Sequence, residues 1–137
     1  MNTYNINDDN YKNSVEYQNF LKDNPEIGYL KIRAYAASGA VPVSNVKVVV
    51  SKDINNNKVI FFEGFTNESG IIEQIELPAP KLDPNDLDIP NKITYDINVT
   101  YNPDNISNIF KVNIYEKIRV IQNISIVPNL MVSKGDI

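Results

Sequence analysis

An all-β fold, an antiparallel sandwich of seven strands preceded by a flexible arm and one short helix, is what this sequence predicts. Three observations predict it. From Gly28 onward, apolar and polar residues alternate with a period of two in segment after segment. Clusters of Asn, Asp, Gly and Pro interrupt those segments at the spacing of sandwich turns. Between the segments there is no helical repeat of the kind that parallel crossovers require.

In order, residues 1–13 are polar, with Tyr4 and Ile6 alternating against Asn5 and Asn7. They read either as a disordered tail or as an arm that becomes a strand on the sheet edge of a neighbouring subunit. Asn13-Ser14-Val15-Glu16 offers an N-cap with a Glu three places on, followed by Tyr17, Phe20 and Leu21 and stopped at Asn24-Pro25, and predicts a helix over residues 14–22. Residues 29–36 form the first strand: Leu30, Ile32, Ala34 and Ala36 turn inward, and Tyr29, Lys31, Arg33 and Tyr35 face water. Residues 38–43 make a loop in which Pro42 cannot donate to a ladder. Residues 45–52 place Val46, Val48 and Val50 inward, residues 53–58 turn the chain, and residues 59–66 return it. The stretch 59–80 reads as a hairpin hinged on Thr66-Asn67-Glu68-Ser69-Gly70, with Ile71, Glu73 and Ile75 on one face of its second strand.

Residues 78–91 carry four prolines and predict a surface loop between sheets. Residues 92–101 are the clearest strand, with Ile93, Tyr95, Ile97, Val99 and Tyr101 inward. Strands over 109–115 and 118–127 close the sandwich. The division is an arm and helix over 1–27, a sandwich over 28–129 and a tail over 130–137.

Composition narrows function. The chain has 137 residues, no cysteine, no histidine and a net charge of −4. Length supports one domain, with no disulfide, thiolate, imidazole or soft-ligand zinc chemistry. The 13 basic residues are scattered rather than gathered on one face, which argues against nucleic acid as a partner. No apolar run reaches the ~20 residues of a membrane span, and the first residues lack a signal-peptide pattern. Four Asn-x-Ser/Thr triplets follow from the abundance of Asn.

The residue order GYLKIRAYAASGAVPVSNVKVVVSK, GFTNESGIIEQIELPAP, TYDINVTY and VIQNISIVPN resembles the transthyretin-like, or carboxypeptidase regulatory-like, domains of Clostridia. A similar domain stands in the amino-terminal part of spore cortex-lytic proenzymes. The resemblance rests on the Pro42 loop, the Thr66-Asn67-Gly70 turn and the Tyr-rich strand of Tyr95 and Tyr101, and spans residues 28–129. It implies an immunoglobulin- or transthyretin-like sandwich and a spore or cell-surface setting. The hydroxyisourate hydrolases of that fold use histidines, which this chain lacks.

Candidate sites are few. Asp53-Ile54-Asn55-Asn56-Asn57 opens like a calcium loop but has Lys58 in place of the required glycine, so a polar turn is the expected reading. Asp83, Asn85, Asp86 and Asp88 form the one weak metal candidate, read as a solvated acidic loop; no cofactor is expected. Glu73 and Glu76 point to opposite faces by strand alternation, and Asp96 lies on a later strand, so no acid/base pair forms. An isopeptide between Lys31 and Asn123 is disfavoured because Lys31 faces water. Tyr4, Ile6, Tyr29, Tyr35, Leu130 and Val132 are the expected interface residues, since aromatic and apolar strand positions suit pairing and association. The expectation is a non-catalytic structural subunit that binds itself or another surface protein through its arm or sheet edges. The alternative is an accessory module recognising cell-wall polysaccharide or a protein through its loops.

Overall fold

Nine strands and two helices make up the regular structure among residues 1–85, 88 and 90–127, which are the residues the computed structural model describes, apart from the Asp104 side chain. They are β1 (Thr3–Asn5), α1 (Asp9–Lys12), α2 (Val15–Asp23), β2 (Glu26–Ala36), β3 (Val41–Pro42), β4 (Lys47–Ile54), β5 (Asn57–Phe65), β6 (Ile71–Ala79), β7 (Ile93–Tyr101), β8 (Ile106–Ile114) and β9 (Arg119–Ser125). One sheet runs β1-β5-β4-β7-β8. In the other, β2 lies at the centre, with β6 and the short β3 antiparallel to it and β9 parallel. The all-β sandwich is as expected; nine strands replace seven because β1 and β3 come from segments read as arm and loop.

The alternation places the core where the sequence puts it. Leu30, Ile32, Val46, Val48, Val50, Leu77, Tyr95, Ile97 and Val99 are buried, each removing apolar area from water for about 1.5–3 kcal/mol. Within this chain the arm is ordered: β1 pairs in parallel with β5, Thr3 opposite Lys58 and Asn5 opposite Ile60. Asp8 then caps α1 by accepting from the Asn10 N–H. Tyr11, Tyr17 and Phe20 join the same core as the sheets, so residues 1–27 are built into the sandwich. The Ser14 hydroxyl accepts from the Tyr17 N–H to start α2, and the Asn24 amide donates back to the Phe20 carbonyl to end it.

The stretch read as a hairpin is a corner. β5 and β6 belong to different sheets, and residues 66–70 carry the chain from one to the other. Thr66 is buried there; its hydroxyl donates to the Val43 carbonyl at 2.8 Å and accepts from the Val46 N–H at 3.0 Å. The Asn67 carboxamide oxygen accepts from the N–H groups of Ser69 and Ile71. Gly70 has φ +74°, and a Cβ there would strike the Ala34 carbonyl. Thr66→Val keeps the shape and strands both buried partners, so the expected loss is about 2 kcal/mol of unfolding free energy, read by urea titration; an unchanged midpoint refutes the corner's role.

A second corner joins β8 to β9. Lys117 donates its N–H to the Ile27 carbonyl and Tyr29 donates to the Ile118 carbonyl, which ties the corner to β2. Gly28 makes this crossing possible, since a Cβ would overlap Ile114 and the Tyr115 carbonyl. Because β8 lies in the first sheet and β9 in the second, β9 arrives beside β2 running the same way. The expectation of a wholly antiparallel sandwich therefore fails at β2/β9 and at β1/β5.

Two irregularities shift faces. On β5 the register slips between Val50 and Ser51, where Phe62 and Ile60 are the partners and Phe61 is left over; Phe61 turns into the core. On β6 the slip lies opposite Lys31, so Glu73 moves outward rather than sharing the Ile75 face. Residues 53–58 prove a tighter turn than expected: Asn55 and Asn56, both at positive φ, link Ile54 directly to Asn57.

Candidate interaction surfaces

The carboxylates sit apart. Glu73 lies on the outer face of the β2 sheet, 3.6 Å from Lys31 and 2.5 Å from Arg119, which reaches across β2 to it. Asp96 lies on the outer face of the other sheet, bonded to Lys111 at 2.7 Å; that bond raises the Lys111 pKa. Lys52 donates to the Thr94 carbonyl, and burial lowers its pKa. Glu76 is paired in register with Tyr29, away from Asp96. The Asp53 to Asn57 stretch is spent on its turn, with Asn57 bonded to Glu16 and to the Asn2 N–H.

The proline loop is held by local bonds. Glu116 accepts from the Leu82 N–H, and Asp83 accepts from the Asn85 N–H. Asp83, Asn85 and Asp88 are exposed, Asp86 lies outside the described residues, and among those described no three acidic groups converge as a metal site would need. Lys31 engages Glu73, while Asn123 is paired with Arg33, on the far side of β2 from β6.

The expected interface residues divide into three groups. Tyr29 and Tyr35 are half-buried on the outer face of β2, as the alternation predicts, beside Arg119 and Ser125 of β9 respectively. Tyr4 and Ile6 are half-buried against their own chain: Tyr4 stacks on Tyr11 with ring centres 4.8 Å apart, and Ile6 donates its N–H to the Ile60 carbonyl. Leu130 and Val132 lie outside the described residues.

Sheet edges differ in how they are blocked. On β8, the Asn108 side chain accepts from the Ile109 N–H at 2.8 Å. On β9, the Gln122 amide donates to the Asn123 carbonyl at 3.0 Å. Both side chains satisfy main-chain groups that an incoming strand would use. β6 carries Pro78, which has no N–H to offer. β5 differs: β1 covers it only from Lys58 to Ile60, so from Phe61 to Phe65 no strand flanks it on that side among the described residues, and Phe65 is 60% exposed.

Sequence reasoning missed a cleft of about 380 Å³ where α2 meets the β2 sheet. Leu21, Pro25, Ile27 and Pro78 make its apolar walls, and Glu26 and Glu76 stand in its lining. Its parts come from two stretches far apart in the chain, Leu21 to Ile27 and Glu76 to Pro78, which no local pattern joins; Ile27, at a strand start, is 44% exposed. Among the described residues no helix is long and apolar enough to cross a membrane. No protein-family model matches this chain, and no curated protein does either.

Proposed function

We propose that this chain is a non-catalytic structural subunit that associates with its own kind by exchanging the N-terminal arm. The observation that carries the reading is the uneven state of the edges: β8, β9 and β6 are blocked, while β5 holds a strand of three residues and continues uncovered to Phe65. An arm leaving its own β5 for that of a second copy would keep the Tyr4–Tyr11 stack and the Ile6–Ile60 bond, so exchange costs little in contacts. Two copies exchanging arms reciprocally form a closed pair.

Support for a non-catalytic role lies in the charged groups: Glu73 and Asp96 are engaged by cations on opposite outer faces. Assignment to the transthyretin-like sandwiches rests on the Pro42 loop and the Thr66-Asn67-Gly70 corner, and the spore or cell-surface setting rests on that resemblance.

Tyr4→Pro removes a main-chain donor from β1 and disfavours its pairing. Light scattering coupled to gel filtration is expected to show the unmodified chain as a dimer or larger and Tyr4→Pro as a monomer of unchanged circular dichroism. An unmodified chain that stays monomeric at its highest soluble concentration rules the reading out.

A further inference from the structure

The cleft between α2 and the β2 sheet has a mostly apolar lining, and nothing in the fold so far uses it. It opens at the end of that sheet beside α2, where Ile27, Glu76 and Pro78 project to the side opposite Leu30 while Glu26 and Leu77 lie on the Leu30 side. Its volume of about 380 Å³ falls at the lower end of the ~300–1,000 Å³ range of occupied ligand sites. Among the described residues neither Glu26 nor Glu76 has a cation within ion-pair distance. The chemistry asked for is an extended apolar segment with a positive charge close behind it.

This chain carries such a segment: Leu130-Met131-Val132-Ser133-Lys134, preceded by Pro128. It lies beyond the described residues, and its distance from the cleft can be bounded. β9 runs parallel to β2 and ends with Ser125 opposite Tyr35. Ile27 is eight residues back along β2, about 26 Å away at ~3.3 Å per residue. From Val127 a fully extended chain carries Leu130 at most about 11 Å and Val132 at most about 18 Å. Neither side chain reaches the cleft of its own molecule.

We infer that the cleft receives the 130–134 segment of a second copy, with Leu130 and Val132 against Ile27, Leu21 and Pro78, and Lys134 at the Glu26 and Glu76 carboxylates. The described chain leaves β9 at the Tyr35 end of the sheet and the cleft lies at the Ile27 end, so donor and acceptor are different surfaces. The contact is therefore heterologous and generates open chains rather than closed pairs. The inference extends the proposed self-association: arm exchange makes pairs, and the tail-to-cleft contact links pairs into a fibre.

A fluorescent peptide spanning residues 128–137, titrated into the full chain bearing Leu130→Asp and Val132→Asp, isolates this contact from arm exchange. Saturable binding is expected, weakened about tenfold or more by Ile27→Asp in the protein, which changes an exposed side chain and spares the core. Lys134→Glu in the peptide is expected to weaken binding and Glu76→Lys in the protein to restore it. The absence of saturable binding, or binding indifferent to Ile27→Asp, overturns the inference whatever the oligomeric state. In the assembly assay, Leu130→Asp with Val132→Asp is expected to stop growth at the arm-exchanged pair. Long assemblies that survive this change sink the tail-to-cleft contact and leave arm exchange standing; saturable peptide binding by a chain that is otherwise monomeric does the reverse.

Discussion

Phe61→Ala is expected to lower unfolding free energy by about 3–5 kcal/mol, the range for emptying an aromatic core site. Phe61 is 6% exposed and joins the helix to the sheets: its ring centre is 5.7 Å from Phe20 and 6.2 Å from Tyr17 on α2, and 5.1 Å from Tyr95 on β7 in an edge-on arrangement. Aromatic pairs of this kind add about 0.5–1.5 kcal/mol beyond the area they bury. Loss of the ring removes the surface on which α2 rests, so the damage should spread. Amide exchange should speed more in α2 and at Tyr11, whose ring is 5.5 Å from Tyr17, than in β8. Phe61→Leu refills most of the space and should cost less than half as much. A loss for Phe61→Ala below about 1 kcal/mol would mean that the helix is held by something other than this ring stack.

Much of this sandwich was legible because one rule governs it. Where Leu30, Ile32 and Ala34, or Ile93, Tyr95 and Ile97, alternate without interruption, burial tracks the pattern residue by residue. Where alternation is broken, reading fails in an interpretable way. Phe61-Phe62 and Ile71-Ile72 are adjacent apolar pairs, and each lies next to a register shift that turns the neighbouring side chains to the other face; Glu73 was misplaced for this reason. The 66–70 turn was identified by its residues but assigned to a hairpin, because Asn67 and Gly70 make the same bonds whether the next strand stays in the sheet or leaves it. Burial of Thr66 distinguishes the two cases, and local pattern does not carry it. Of the arm's two alternating apolar residues, Tyr4 lies in β1 and Ile6 follows it, its N–H bonded to the Ile60 carbonyl. Their partner was missed because a parallel partner needs a long return, which α1, α2 and the three strands β2 to β4 supply.

Edge blocking was invisible for a similar reason. Asn108 and Gln122 sit at positions that alternation turns toward the core, opposite Val99 and Ile32. Polar residues there look like errors until β8 and β9 are seen to be outer strands of their sheets. Inward-pointing polar groups on an outer strand are a known guard against strand addition. The guard is missing from the far half of β5, and the two proposed contacts avoid competing: arm exchange uses the Lys58 to Ile60 part of the β5 edge, the other the end of the opposite sheet beside α2.

Alkaline pH is expected to unfold this protein steeply, beginning near pH 10. Three phenols are held above their ordinary value of 10.0: Tyr95 by burial and then by Tyr17, Tyr11 by burial and then by the Glu16 carboxylate, and Tyr17 by burial. Below about pH 10 each phenol is protonated whether the chain is folded or not, and stability is at its full value. Above it the unfolded chain releases protons that the folded chain retains, so stability falls as pH rises, by ~1.4 kcal/mol per pH unit for each phenol fully withheld. Tyr95, which also donates to the Pro78 carbonyl at 2.6 Å, should contribute nearly all of its share. Tyr11 and Tyr17 lie nearer the surface and contribute less, for a combined slope of about 2–3 kcal/mol per pH unit. Urea titrations at intervals from about pH 9 to 11.5 measure that slope, and Tyr95→Phe should reduce it by about 1 kcal/mol per unit while itself costing stability at neutral pH through the unpaired Pro78 carbonyl. Stability that holds level across that interval would show that these phenols ionise as freely in the folded chain as in water, which a core packed around them forbids.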